Sequence, residues 1–315
     1  MLKERPPVTF LMPVKNGDQF LDNSMRSIEN LSLEGDEILI VNDMSTDRTS
    51  RILEEFSTLN SQISVLNNSK PGLVNALNLG IQNARHDLIA RVDVDDLYMN
   101  NRVSSQLAVF DDDTVAVFSD YSLFSDSSGE LGSIVSAVYP VATSCSLIAS
   151  QRTPHSSVIF SREAVIEAGG YRSEDFPAED LSLWLRLSRL GNIKSVPEVL
   201  LKYRLNPLGI TSTQRHKMLT KKESLLQIIK VNPKDIEKLR TDALEISAMY
   251  TQHNYPSSRR ILLAKDMVAI SRRYKNGRDL EVTAARILSN ELFSNQGRKA
   301  IFELSLQKFQ RRRLR

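Results

Sequence analysis

Three carboxylates fall within four residues at Asp93-Val94-Asp95-Asp96. At that spacing they repel one another unless a cation or hydrogen-bond donors neutralise them. Hard divalent ions such as Mg²⁺ or Mn²⁺ take oxygen ligands, commonly one or two carboxylates together with substrate phosphates. Asp93 and Asp95, two apart, project to one side of an extended segment, while Val94 projects to the other, where burial suits it. The cluster closes an apolar strand, DLIARVD (87–93), which sets it apart from Asp111-Asp112-Asp113, an acidic run that reads as solvated surface. Asp43 is less specific. Followed by Met-Ser-Thr-Asp, it reads alone as a turn or helix-cap aspartate, and its other role would be to accept hydrogen bonds from a nucleotide base.

These residues need a scaffold that brings strand ends together. VTFLMPV (8–14), EILIVND (37–43), ISVLNN (63–68), 87–93 and TVAVFSDY (114–121) read as strands. Between them, residues 18–30, 46–59, 71–84 and 101–110 carry apolar residues at helical spacing, with Asp47 placed to cap the second helix. Alternation at this spacing predicts an α/β fold, a mostly parallel sheet with helices on both faces. Ligands of such sheets bind at the carboxyl ends of the strands, near the reversal of strand order. Pro13-Val14-Lys15-Asn16-Gly17, Asn42-Asp43 and Asp93-Val94-Asp95-Asp96 all fall at such ends. Residues 122–154 are Ser-rich and read as a hairpin and loops. Strand character then returns at 155–160, a helix at 162–168, a Gly-Gly-Tyr turn, a helix at 179–191 and a strand at 196–204. Beyond about 213 the pattern is helical throughout, over 218–229, 236–250, 260–270, 282–293 and 300–309. The expected organisation is a domain over 1–213 and a basic helical region over 214–315.

In order and approximate spacing, VTFLMPVKNG, EILIVNDMSTDRT, KPGLVNALNLGIQNA and HDLIARVDVDDL resemble the family 2 glycosyltransferases, which have the Rossmann-like GT-A fold. A fifth segment, Glu179-Asp180-Leu181-Ser182-Leu183-Trp184-Leu185-Arg186, is similar to that family's Glu-Asp-x-x-x-Trp-x-Arg helix start. The resemblance covers about residues 7–207. It implies transfer of a sugar, of hexosyl or N-acetylhexosaminyl type, from a nucleoside diphosphate donor, a UDP-sugar as the modal choice, to a carbohydrate or lipid-linked acceptor. It implies inversion at the anomeric carbon and a setting in cell-surface polysaccharide synthesis. Carried over by position, Pro13, Val14, Asn16 and Asp43 line the nucleotide pocket, and Asn78 and Gly80 lie on the helix beside the donor. Arg91 meets phosphate, Asp93 sits by the ribose and metal, and Asp95 is the direct ligand of Mn²⁺ or Mg²⁺. Asp180 is the general base, at a helix start whose dipole favours the anion. His155, Glu179, Arg204 and Asn206 are candidates for acceptor or phosphate contacts. The pattern is broken at Val14-Lys15, where an aromatic is frequent, at Asn42 and Met44 beside Asp43, and at Asn206, where His is common.

Other classes fit less well. No Gly-x-Gly-x-x-Gly follows a strand and no phosphate-loop Gly-Lys-Ser/Thr occurs, which removes the dinucleotide and P-loop readings. The competing class is a non-catalytic relative that binds a nucleotide sugar or scaffolds a polysaccharide assembly. Its mark would be loss of Asp95 or Asp180, and both are present.

The net charge of +3 conceals an asymmetry: residues 1–200 hold 16 Lys+Arg and 28 Asp+Glu, leaving 25 and 10 of the totals of 41 and 38 for the remainder. A basic region of that kind faces anionic polymer, anionic lipid or plain solvent. The final RKAIFELSLQKFQRRRLR combines seven basic residues with apolar ones and suits either peripheral contact with an anionic membrane or a packed terminal helix. Nucleic acid is not an expected partner, since no recognised motif with interleaved aromatics occurs there. One cysteine, Cys145, and no zinc-site spacing fit a reducing compartment. With no secretory signal pattern and no run of roughly 18 apolar residues, the expectation is cytoplasmic, peripheral at most on the inner face of the plasma membrane.

Overall fold

The computed structural model describes residues 5–127, 129–134, 141–142 and 153–228, with single positions 261, 264, 268 and 284. Its strands are β1 (Thr9–Val14), β2 (Glu37–Asn42), β3 (Ile63–Asn67), β4 (Leu88–Arg91), β5 (Leu97–Tyr98), β6 (Thr114–Ser125), β7 (Gly129–Ile134), β8 (Val141–Ala142), β9 (Ile159–Ser161) and β10 (Asn192–Arg204). Its helices are α1 (Leu21–Glu29), α2 (Thr49–Leu59), α3 (Leu73–Asn83), α4 (Arg102–Leu107), α5 (Arg162–Glu167), α6 (Glu179–Leu187), α7 (Ile210–Thr213) and α8 (Arg215–Ile228). Cys145 and the basic terminus lie outside the described residues, as do the later helices expected beyond 228 apart from positions 261, 264, 268 and 284, which are helical.

The strands form one sheet in the order β3-β2-β1-β4-β9-β6-β10-β5, with β7 beside β6 and β8 beside β10. Strands β1 to β4 are mutually parallel, and β6 runs parallel to β10. Strands β5, β7, β8 and β9 pair antiparallel, so the sheet is mixed, with a parallel block β3-β2-β1-β4 at one end. Hydropathy periodicity reveals that a segment is extended but not which way it runs, which is why β9 escaped the parallel expectation. His155 opens a single 3-10 turn (155–157) before β9 and does not begin the strand itself.

Alternation along the strands divides the core. Leu11, Leu39 and Val41 face one side and pack with Val74, Leu77 and Ile81 of α3, Val165 of α5, and Leu183, Trp184 and Leu187 of α6. Phe10, Met12, Ile38 and Ile40 face the other and pack with Leu21, Met25 and Ile28 of α1, Leu53 of α2 and Val103 of α4. Helices thus cover both faces, as the alternation predicts. Gly80 lets α3 lie close on β1: a Cβ there would stand 2.2 Å from Leu11 Cδ1. Leu226 of α8 joins the cluster that contains Trp184, so this helix is tied to the core that the sheet builds.

The strand order reverses between β1 and β4, because β2 and β3 extend the sheet on one side of β1 and β4 returns on the other. Pro13 shapes that gap. Leu11 accepts the Val92 N–H, and Val14 accepts the Asp43 N–H, so odd residues of β1 bond toward β4 and even ones toward β2. Pro13 faces β4 without an N–H to give, and the β1–β4 register ends at Leu11↔Arg91. The missing donor ends the ladder at the carboxyl edge, where a sheet of this kind has its ligand crevice at the reversal of strand order.

Candidate active site

Two loops form one rim of this crevice. The Asn16 amide donates to Ser45 Oγ (2.9 Å), and Asn16 Oδ1 accepts from the Thr46 amide (2.8 Å). Gly17 N–H reaches Thr49 Oγ1 (2.9 Å), and Asp47 Oδ1 accepts the Thr49 N–H (3.0 Å) from one residue before the cap; Arg48, not the expected Asp47, is the N-cap of α2, because the helix begins at Thr49. Asn16 holds φ of 52°, a left-handed conformation that Asn tolerates better than most residues. Pro13 and Val14 are buried beneath this rim, so their contribution to a ligand is confined to the backbone edge and the floor. Asp43, 5 % exposed, accepts hydrogen bonds from Asn68 Nδ2 (2.7 Å) and the Gly72 amide (2.9 and 3.0 Å), placing its charge at the start of α3. It therefore has a structural duty whatever else it contacts.

The acidic turn lies across the gap. Asp93, Asp95 and Asp96 each present an oxygen, all within 4.8 Å of one another. Asp96 is fully engaged from below, one carboxylate oxygen accepting from the Arg204 amide (2.8 Å) and the other from Ser156 Oγ. Burial, and then the charge of Asp93, push the Asp95 carboxyl above its ordinary value and Asp96 well above it. Crowded oxygen donors held in this state suit a hard divalent cation; Asp93 and Asp95 are the two whose oxygens are least committed. Asp93 pairs with Arg91, a buried guanidinium whose Nε has no partner among the described residues. Burial opposes the Arg91 charge, but Asp93 and the nearby Tyr98 and Tyr171 outweigh it.

Arg204 and Asn206 both serve this turn. Arg204 donates from Nε to the Asp95 carbonyl (2.7 Å), pairs with Asp126 and lies over the Phe20 and Phe124 rings at 5.1 and 4.4 Å. These contacts tie Arg204 to the acidic turn. Asn206 Nδ2 donates to Asp95 Oδ2 (3.0 Å), while its Oδ1 accepts the Leu208 amide (3.0 Å). Asn at this position thus orients the Asp95 carboxylate.

A third group comes from α6 and the turn before it. Asn78 on α3 holds the Tyr171 backbone at both ends, donating to its carbonyl (2.8 Å) and accepting its N–H (2.9 Å). Its amide is thereby spent on the Gly169-Gly170-Tyr171 turn, not aimed at a ligand. Gly170 has φ of +64°, and a Cβ there would lie 2.8 Å from Asn78 Oδ1, so the turn requires glycine. Tyr171 Oη meets His155 Nε2 at 2.6 Å, and the His155 ring packs edge-on to Trp184 at 5.7 Å. Burial and the charge of Arg91 drive the His155 imidazole well below its ordinary value, so it is neutral at physiological pH. The Tyr171 phenol, pushed well up by burial, feels Arg91, Glu179, Asp180 and Asp93, which makes it the common neighbour of the two acidic groups. The sequence had flagged the Gly-Gly-Tyr turn but not this tyrosine.

Glu179 and Asp180 open α6, where Asp180 Oδ1 accepts the Leu181 amide (2.7 Å). Glu179 is 5 % exposed and its Oε2 has no partner among the described residues; burial and then Asp180 raise its carboxyl to about 7. Since that is above its value of 4.5 in the unfolded chain, the folded protein holds a proton that the unfolded chain releases, and stability is lost as pH rises from about 4.5 to about 7. The full shift corresponds to about 3 kcal/mol at most. Glu179→Gln should flatten this loss: urea midpoints measured at pH 5 and pH 8 should converge in the variant relative to the wild type. Parallel decline in both proteins would assign the pH dependence to the Asp93–Asp96 turn instead.

No described helix is long and apolar enough to cross a membrane. The sequence model of Glycosyl transferase family 2 matches residues 9–135, the half of the sheet that carries the crevice. The chain is 29 % identical over 237 residues to an uncharacterised glycosyltransferase of Haemophilus influenzae, covering 67 % of this chain and 69 % of the relative. It is 28 % identical over 215 residues to an Escherichia coli UDP-Gal:alpha-D-GlcNAc-diphosphoundecaprenol beta-1,3-galactosyltransferase, covering 65 % of this chain and 77 % of that one. Among solved structures, Staphylococcus aureus TarS 1–349 in complex with UDP-GlcNAc aligns with a TM-score of 0.59 at 11 % identity, over 98 % of this chain and 90 % of its own. The mannosyltransferase PcManGT of Pyrobaculum calidifontis, in complex with GDP-Man and Mn²⁺, aligns with a TM-score of 0.58 at 14 % identity, over 98 % and 86 %. Residues 9–135 thus match glycosyltransferase family 2, the curated relatives named are glycosyltransferases, and the described sheet and helices have the GT-A fold.

Proposed function

We propose that this glycosyltransferase moves a sugar from a nucleoside diphosphate donor, a UDP-sugar, to a carbohydrate or lipid-linked acceptor in cell-surface polysaccharide synthesis, with inversion and with a bound divalent cation. The observation that carries the reading is the acidic turn at the strand-order reversal, whose three carboxylates present oxygens within 4.8 Å of one another. Asp95 and Asp93 are the residues to hold Mn²⁺ or Mg²⁺, which when bound would neutralise charge developing on the departing nucleoside diphosphate. The rim of Pro13, Val14, Asn16 and Asp43 receives the nucleotide, and Arg91, beneath Asp93, supplies fixed positive charge toward the phosphates. Asp180 takes the proton of the acceptor hydroxyl as its oxygen attacks the anomeric carbon from the face opposite the diphosphate. The carbon–oxygen bond to the diphosphate breaks, and the configuration inverts. Neutral His155, held by Tyr171, offers a hydrogen bond to a sugar or acceptor without competing for that proton.

The catalytic unit is assigned to 1–213 and the basic helical region to 214–315, whose final segment would rest on an anionic membrane that carries the acceptor. The protein itself is assigned to the cytoplasm.

Calorimetric titration with UDP, GDP, CMP and dTDP, each in Mn²⁺ and again in EDTA, tests the reading. One nucleotide should bind, and it should bind more tightly in Mn²⁺. Equal affinity in EDTA would remove the metal from the proposal. Binding of GDP alone would replace the uridine donor with a guanosine one.

A further inference from the structure

A buried polar assembly lies directly under the acidic turn, outside the residues assigned to ligands. Tyr98 of β5 is 5 % exposed, and its Oη accepts the Asp93 N–H at 2.6 Å. The guanidinium of Arg102, 0 % exposed, stacks 4.6 Å from the Tyr98 ring centroid. Arg102 donates from Nη2 to the Arg91 carbonyl (2.9 Å) and the Val158 carbonyl (3.1 Å), and from Nε to Gln106 Oε1 (3.1 Å). Gln106 Nε2 in turn reaches the Val117 carbonyl (2.6 Å) and the Ser157 carbonyl (2.8 Å). Three side chains from 98 to 106 therefore bind the end of β4, the start of β9, β6 and the backbone of Asp93.

Packing alone does not call for this chemistry. An arginine with no exposure incurs a large desolvation cost, and apolar residues of similar volume fill cores at lower risk. Burial brings the Arg102 guanidinium down to about 10, so it remains charged, balanced by the Tyr98 phenol above it. What the assembly gains is direction. It fixes the Arg91 carbonyl and the Asp93 amide, the two peptide groups that bracket the last turn of chain before the carboxylates.

We propose that Tyr98, Arg102 and Gln106 are positioning residues for the divalent cation, setting where the Asp93 carboxylate points through its own backbone. This rests on the reading of Asp93 and Asp95 as cation-holding residues. None of the three touches the cation or the donor.

Tyr98→Phe is the informative variant, because it deletes one oxygen and keeps the ring over Arg102. The amide of Asp93 then loses its acceptor, and the turn becomes free to settle elsewhere. Mn²⁺ affinity, read from the free-ion electron paramagnetic resonance signal in nucleotide-free protein, should weaken by roughly 5- to 10-fold, the scale of one lost hydrogen bond. Melting temperature and nucleotide affinity in EDTA should stay close to wild type. Arg102→Lys keeps a charge but loses the fork that spans two carbonyls, and should weaken Mn²⁺ in the same direction. Wild-type Mn²⁺ affinity in Tyr98→Phe would overturn the positioning role and leave the cation site standing. An equal loss of nucleotide affinity in EDTA would overturn it too, by marking a general loosening of the crevice. Absence of Mn²⁺ binding in the wild type would instead bring down the cation reading and this one together.

Discussion

Asp180→Asn is expected to leave donor affinity within about twofold of wild type and to lower turnover by about 10²- to 10⁴-fold, the usual worth of a positioned general base. The substitution is nearly isosteric, and the side-chain oxygen that accepts the Leu181 amide is retained, so the start of α6 should keep its shape. What disappears is a carboxylate able to take the acceptor's proton. Single-turnover measurement with saturating donor separates this from a binding defect, and near-normal turnover would end the base assignment. A second readout comes from the neighbour. Asp180 is, after burial, the main reason that the Glu179 carboxyl is raised, so neutralising it should move the Glu179-linked fall in stability toward lower pH. A variant that loses turnover without moving that transition would have failed for a reason other than loss of the Asp180 charge.

Features written in local sequence are legible from it alone. The acidic turn is legible because its chemistry lies in residues two and three apart. The Glu179-Asp180 start is legible because Trp184 and Leu187 follow at helical spacing and go into the core, both 0 % exposed. The parallel block β3-β2-β1-β4 was legible because its two inner strands β1 and β2, buried at every residue, read as continuous apolar runs. What escaped was whatever depends on register between distant segments. The antiparallel seating of β9 between β4 and β6 has no local signature, and neither does the pairing of β5 with β10.

The same distinction explains the individual side chains. Asn78 stands in a stretch that resembles a donor-binding helix, yet its amide is used by the Tyr171 backbone 93 residues away. Arg204 and Asn206, candidates for acceptor or phosphate contacts, both reach back to Asp95, across 109 and 111 residues. Tyr98 and Gln106 could not be singled out, because what they hold at Asp93, at β6 and before β9 is main chain, which carries no residue identity. A position that acts on backbone leaves only its own type in the sequence, and a lone Tyr or Gln is an ordinary thing to find.

The second large effect is expected at Asp95. Asp95→Ala should abolish the Mn²⁺-dependent part of nucleotide affinity, so that titrations in Mn²⁺ and in EDTA coincide, while the protein stays folded. Retained folding follows from the electrostatics of the turn. Burial and Asp93 both disfavour the Asp95 charge, so deleting it relieves repulsion that the folded state otherwise bears. The loss on the other side is one hydrogen bond from Asn206, whose amide is only partly buried and can turn to water. Melting temperature should therefore hold or rise as metal-dependent binding disappears. That opposite movement separates a cation-holding carboxylate from a structural one such as Asp96, whose oxygens are taken by Ser156 and the Arg204 amide and whose removal should lower stability. If Asp95→Ala binds nucleotide in Mn²⁺ as tightly as wild type, Asp95 is not a ligand. Asp93, paired with Arg91 and held by Tyr98, would then be left to hold the cation without it.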